Sequence, residues 1–184
     1  MPAPACGDCL RDGPPFEHTV CVPDYSFPWN HLIAEFKFHG RAELAGVLSQ
    51  HLLHAVQRTG QPLPGLVVPV PLSAARLAER GYNQAWELAK RTAAALGLRA
   101  DATLLQRPLD SAHQAALSRS ERQRNMRSAF MADPRRRAPL QGRLVALVDD
   151  VMTTGATARE AAAVLLRAGA AAVDIWVLAR TPER

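Results

Sequence analysis

Apolar residues along this chain switch between two spacings. From Trp29, the stretch WNHLIAEFKFHGRAELAGVLSQHLLHAVQRTG has helical spacing with a break predicted at Gly40. Its buried face is expected to hold Leu32, Ile33, Phe36, Leu44, Val47, Leu48, Leu52 and Val56. LPGLVVPVPL then reads as a buried β-branched strand ending in a stiff, proline-bounded loop. NQAWELAKRTAAALG predicts a helix stopped at Gly97, and DATLLQR a second strand. RLVALV is the clearest strand of all, and AAVDIWVLA the last. Between them TARE has the form of a capping box opening the helix AREAAAVLLRAG, which Gly169 would end. Strands alternating with helices predict an α/β fold, a mainly parallel sheet flanked by helices.

Two stretches break this rhythm. Residues 1–28 are rich in Pro, Gly and Cys and read as loop or a small subdomain. Residues 108–137 are polar and arginine-rich, with SRSE (Ser118 to Glu121) a further capping-box form. The longest apolar run is interrupted by Arg167 and Asp174, so no membrane insertion is expected. MPAPACGDCL lacks the order of a signal peptide, and three cysteines without an export signal favour a reducing cytoplasm.

Charge narrows the choice of partner. The formal balance is +5, and Lys37 and Lys90 are the only lysines, so arginine supplies nearly all the positive charge. Arginine suits bidentate recognition of phosphate and carboxylate, although it serves a solvated surface equally well.

Against that background, RLVALVDDVMTTGATARE puts an acidic pair on the lip of an anion-binding turn. In open α/β sheets ligands bind where strands lead into helices. Gly155 and its small neighbours let backbone N–H groups converge, and a following helix adds its positive end for a phosphate. The hydroxyls of Thr153, Thr154 and Thr157 would add hydrogen bonds. Asp149 and Asp150 make sense one sugar ring away, on vicinal ribose hydroxyls, or helping to hold Mg²⁺ around a pyrophosphate. A phosphorylated ribose satisfies both halves. No Walker loop and no Gly-x-Gly-x-x-Gly stands at this turn. Too few residues follow Asp150 for a receiver domain, and no Ser/His/Asp or Cys/His/Asp set is identifiable.

VALVDDVMTTGAT closely resembles the phosphoribosyl-diphosphate (PRPP) binding motif of type I phosphoribosyltransferases. Within that superfamily, EFKFHGR, VVPVPLSAARLAERGYNQAWELA and QAALSRSERQRNMRSAF are similar to the ComF/GntX family, in order from about residue 25. The resemblance implies a type I phosphoribosyltransferase fold over 29–184, preceded by a short Cys-containing segment, 1–28, as the remnant of a zinc ribbon. It implies that Asp149, Asp150, Val151, Met152, Thr153, Thr154, Gly155, Ala156 and Thr157 bind PRPP, the acids on ribose and the threonines on the 5′-phosphate.

Pro71, Leu72 and Ser73 stand where the superfamily's pyrophosphate loop follows an early strand. Arg76 and Arg80 would add charge there, Arg80 joining Asp149 and Asp150 in catalysis, unless they are surface arginines of a helix entry. Asn83 and Gln84 would add neutral hydrogen bonds. Residues 107–127 resemble the loop that closes over the active site, with Arg107, Gln114, Arg119, Arg122 and Asn125 as its candidates; a solvated loop or a nucleic-acid stripe fits the arginines as well. Lys37 either faces the same pocket or is an exposed lysine flanked by core phenylalanines.

Cys6-x-x-Cys9 has metal-ligand spacing, and His18 and Cys21 would complete a Cys₃His zinc site. The resemblance places this pair as the second of the ribbon, the first falling before Met1. His31, His39, His51, His54 and His113 show no ligand spacing. Two functions follow from the resemblance. One is a Mg²⁺-dependent phosphoribosyltransferase releasing pyrophosphate from PRPP to an unidentified acceptor. The other is a non-catalytic nucleotide- or PRPP-binding module in DNA uptake and utilisation, with single-stranded DNA, DNA-uptake proteins or a second copy of the chain as partners.

Overall fold

The computed structural model describes residues 13–107 and 129–181. Cys6, Cys9, Gln114, Arg119, Arg122, Asn125 and the Ser118–Glu121 capping form lie outside the described residues. In chain order the elements are β1 (Thr19–Cys21), α1 (Trp29–Phe38), α2 (Ala45–Thr59), β2 (Leu66–Pro69), α3 (Ala74–Arg80) and α4 (Gln84–Ala95). After these come β3 (Leu105–Gln106), β4 (Met131–Ala132), β5 (Leu144–Met152), α5 (Ala156–Arg167) and β6 (Ala172–Arg180).

The main sheet has the order β1-β6-β5-β2, all parallel. Its register sets Leu66 against Val145, Leu144 against Ala172 and Thr19 against Ile175. The central strands are apolar on both faces, as parallel strands covered on both sides must be. Leu66, Val68, Val145, Leu147, Val173 and Ile175 share one apolar cluster with Ala161, Ala162 and Leu165 of α5. Val67, Ala146, Val148, Trp176 and Leu178 face the opposite way, onto Ile33, Phe36, Leu48, Leu52 and Leu88 of α1, α2 and α4.

Several expectations are corrected. Val47 is 58% exposed rather than buried, because α2 starts afresh at Ala45. Its inner face is therefore Ala45, Leu48, Ser49, Leu52 and Val56, a different phase from that of α1. DATLLQR yields only the two-residue β3, antiparallel to β4 and outside the main sheet. Asp101 breaks the run there: its Oδ1 accepts from the Thr103 amide at 2.8 Å and hydroxyl at 2.7 Å, making a turn. The TARE capping box does not form. Helix α5 starts two residues earlier, capped by Gly155 in left-handed backbone (φ 73°), and Glu160 accepts instead from the Ala129 amide. Finally, the segment read as loop contributes β1, a short strand at the edge of the sheet.

Candidate functional site

Strand β5 does not end at the acidic pair. It continues through Val151 and Met152, still paired with Ala179 and Arg180 of β6. Strand alternation therefore separates the two carboxylates: Asp149 follows Val145 and Leu147, and Asp150 follows Ala146 and Val148. Asp149 consequently lines two adjoining hollows, whereas Asp150 lines only the larger.

The smaller hollow, about 40 Å³, lies at the N-terminus of α5. Met152, Thr153, Thr154, Gly155, Ala156 and Thr157 surround it. The Thr154 hydroxyl accepts from the Ala156 amide at 3.4 Å, and Met152 is 8% exposed and packed into the core. Glycine is needed at 155 because the turn into α5 takes left-handed backbone.

The larger cleft, about 310 Å³, is lined by Pro71, Leu72, Arg76, Arg80, Asn83 and Gln84 from the segment after β2 and by Asp149, Asp150, Val151, Thr153 and Thr157 from β5 and the start of α5. Lys37, Phe38, Tyr25 and Arg107 complete it. Asp150 is 4% exposed and held on both oxygens by Lys37 Nζ, at 2.8 Å to Oδ2 and 3.1 Å to Oδ1. Its Oδ1 also accepts from the Val151 amide at 2.9 Å. Asp149 Oδ1 accepts from the Asp150 amide at 2.9 Å. Burial first, and the Asp150 charge second, push the Asp149 carboxyl up to about 8.

Around the rest of the cleft the predicted residues divide into those with unpartnered or exposed polar atoms and those spent on local structure. The Arg80 guanidinium lies 5.0 Å from the Phe38 ring centre, and its Nε and Nη1 have no hydrogen-bond partner among the described residues. Gln84 is 2% exposed, and its side-chain oxygen is likewise unpartnered among them. Arg76 stands exposed on the rim. Arg107 lies over Phe130 at 5.5 Å. Ser73 is spent as the cap of α3, accepting from the Arg76 amide at 3.4 Å. Asn83 is spent at both ends: Oδ1 caps α4, and Nδ2 donates to the Val70 carbonyl at 3.0 Å.

Of the two readings of Lys37, the structure adopts the one that faces the pocket. The phenylalanines flanking it differ: Phe36 is fully buried, but Phe38 is 62% exposed at the cleft mouth. Sequence reasoning missed Phe38 and Tyr25 as lining residues. An aromatic two positions after a core phenylalanine on α1 falls off the buried stripe, and that spacing was the available signal.

Of the zinc candidates, His18 points its Nδ1 at the buried Asp174 carboxylate, 3.1 Å away, and the Cys21 thiol donates to the Pro23 carbonyl at 3.0 Å. Among the described residues no group of three or more His, Cys, Asp or Glu could hold a metal ion. No helix among them is long and apolar enough to cross a membrane.

A parallel sheet flanked by helices, with an acidic pair near the end of β5 and a glycine turn leading from it into α5, is the arrangement of a type I phosphoribosyltransferase fold. Solved structures agree on that fold. Glutamine PRPP amidotransferase from Bacillus subtilis, in complex with ADP and GMP, matches 79% of this chain with a TM-score of 0.55 at 19% identity. The chain spans 30% of that protein. No protein-family model matches the chain. Curated relatives go further. The chain is 43% identical to DNA utilization protein YhgH of Escherichia coli over 96% of its own length and 78% of that protein's. It is 36% identical to competence protein F of Haemophilus influenzae, over 95% and 78% of the two chains. It is 30% identical to competence protein ComFC of Bacillus subtilis, over 96% and 72%. The chain belongs to the ComF family of DNA-utilization and competence proteins.

Proposed function

We propose that the cleft binds Mg²⁺–PRPP and transfers its phosphoribosyl group to an acceptor not identified by these residues. The observation that carries the reading is the contact between two unlike sites: a carboxylate pair near the end of β5, and the turn Thr153–Gly155 that leads from the strand into α5. A 5′-phosphate suits the backbone N–H groups and threonine hydroxyls of that turn, where the helix dipole favours an anion. Vicinal ribose hydroxyls suit Asp149 and Asp150. Arg76 and Arg80, across the cleft, suit the diphosphate.

In the transfer the bond from ribose C1 to the diphosphate oxygen breaks, and a bond from C1 to the acceptor forms; the electron pair leaves with pyrophosphate. Arg76 and Arg80 stabilise that developing charge, Asp149 and Asp150 fix the ring through its hydroxyls, and the cleft walls limit access of water. No nucleophilic side chain is required. Mg²⁺ would arrive chelated on the diphosphate and neutralise part of its charge, and the oxygen-rich acidic pair is a donor set suited to its hydration shell.

Calorimetric titration of Mg²⁺–PRPP into wild type and D149N/D150N tests this. Micromolar binding lost in the double variant supports it, and an acceptor screen by pyrophosphate release follows. Absence of heat with well-folded wild type overturns it.

The names of the relatives favour a second reading, a nucleotide-sensing or DNA-handling module on the same fold. A net charge of +5 is compatible with it. Salt-sensitive affinity for single-stranded DNA that is indifferent to PRPP would select this reading.

A further inference from the structure

We infer that Lys37 is a positioning residue of the cleft, acting through Asp150 to hold that carboxylate in one orientation. The inference rests on the PRPP reading above. Asp150 stands on the deeply buried side of β5, with 6% of its side chain exposed, next to a second carboxylate. An anion so placed is costly without a counter-ion. Lys37 supplies it across both oxygens, and Glu35, on the same helix, is occupied elsewhere by His39 and Arg41.

Counting lone pairs shows what remains for a ligand. A carboxylate has about four acceptor sites. On Asp150, Lys37 and the Val151 amide both donate to Oδ1, while Oδ2, 2.8 Å from Lys37 Nζ, accepts no hydrogen bond among the described residues and is left for a hydroxyl. Asp149 accepts from the Asp150 amide. The two acids are therefore unequal: Asp150 is held in one orientation by Lys37, and Asp149 is not.

The holder is itself fixed. The Tyr82 hydroxyl donates to the Phe36 carbonyl, tying the end of α1 to the α3–α4 turn. Phe38 packs beneath Arg80 at 5.0 Å and near Lys37 at 5.9 Å. The last turn of α1 thus joins the wall carrying the acids to the wall carrying Arg80.

The test is Mg²⁺–PRPP calorimetry on wild type, K37M, K37R, D150N and K37M/D150N, with circular dichroism on each. K37M should bind roughly tenfold or more weakly, because it leaves an uncompensated buried carboxylate. K37R, which can grip the carboxylate with two N–H groups, should come within about threefold of wild type. K37M/D150N should be no weaker than D150N alone, since Lys37 then has nothing to position. It should also fold better than K37M, since both charges are gone. Binding by K37M equal to wild type overturns the inference while leaving the PRPP reading intact. Losses that add in the double variant overturn it too, making Lys37 an independent ligand contact. Failure of wild type to bind removes the reading and the inference together.

Discussion

Replacing Asp149 with asparagine should flatten the dependence of stability on pH. In the folded chain this carboxyl is pushed up to about 8 by burial and by its acidic neighbour. In the unfolded chain it titrates at about 3.9. Between those values the folded state holds a proton that the unfolded state has released. Its contribution to stability is complete below about pH 4 and is lost as pH rises toward 8. The loss between pH 6 and 8 is at most about 2 kcal/mol. Asp149 borders an open cleft, so solvent screening reduces this, to about 1 kcal/mol. For a chain of this length that is about 2–4 °C in Tm. Scanning calorimetry of wild type and D149N at both pH values reads the difference directly. Wild type should lose those degrees relative to D149N. Parallel pH dependence in the two proteins would show that Asp149 is not desolvated as described.

Other consequences can be measured alongside. If Mg²⁺–PRPP requires the ionised Asp149, its affinity should improve from pH 6 to 8, and the heat of binding should vary with the ionisation enthalpy of the buffer as a proton is released; a pH-independent Kd counts against this. Gly155→Ala should cost about 1–2 kcal/mol by forcing a side chain into left-handed backbone, although the new Cβ would meet only Met152 Cε at 3.5 Å. Urea unfolding would show it. Leu48→Ala should cost about 2–5 kcal/mol and Val47→Ala less than about 0.5, a contrast that tests the phase of α2. Burial raises the Cys21 thiol, so iodoacetamide should label it near pH 8 more slowly in the folded chain than in urea.

The strands and the turn into α5 were legible because each rests on local chemistry: β-branched runs, then Gly155 and threonines before a helix. The end of β5 was less legible. Hydrophobicity stops at Val148, but the ladder to β6 continues to Met152, since backbone pairing does not depend on side-chain polarity. The same blind spot hid the opposite orientations of Asp149 and Asp150, which follow only once both are known to lie in a strand. Lys37 is more than a hundred residues from Asp150, so no local pattern could join them. Asn83 lines the cleft as read, but no local pattern showed that its side chain also caps α4 and donates to the Val70 carbonyl.

The acidic pair also bears on whether the cleft works on a ligand or is inherited scaffold. Stability alone does not favour Asp149, whose carboxyl is desolvated and set beside Asp150. Nor does it favour Asp150, which needs Lys37 brought across from α1 to remain a tolerable buried anion. An apolar pair would extend β5 and still leave the turn at Gly155 intact. On the proposed reading the two acids add hydroxyl-accepting capacity beside the turn into α5, in a cleft that Arg76 and Arg80 also line. A surface that only attracts nucleic-acid backbone gains nothing from carboxyl groups in its deepest part. The cleft chemistry therefore favours a ligand that carries hydroxyls and phosphates on one sugar, and any contact with DNA would be made by surfaces outside the cleft.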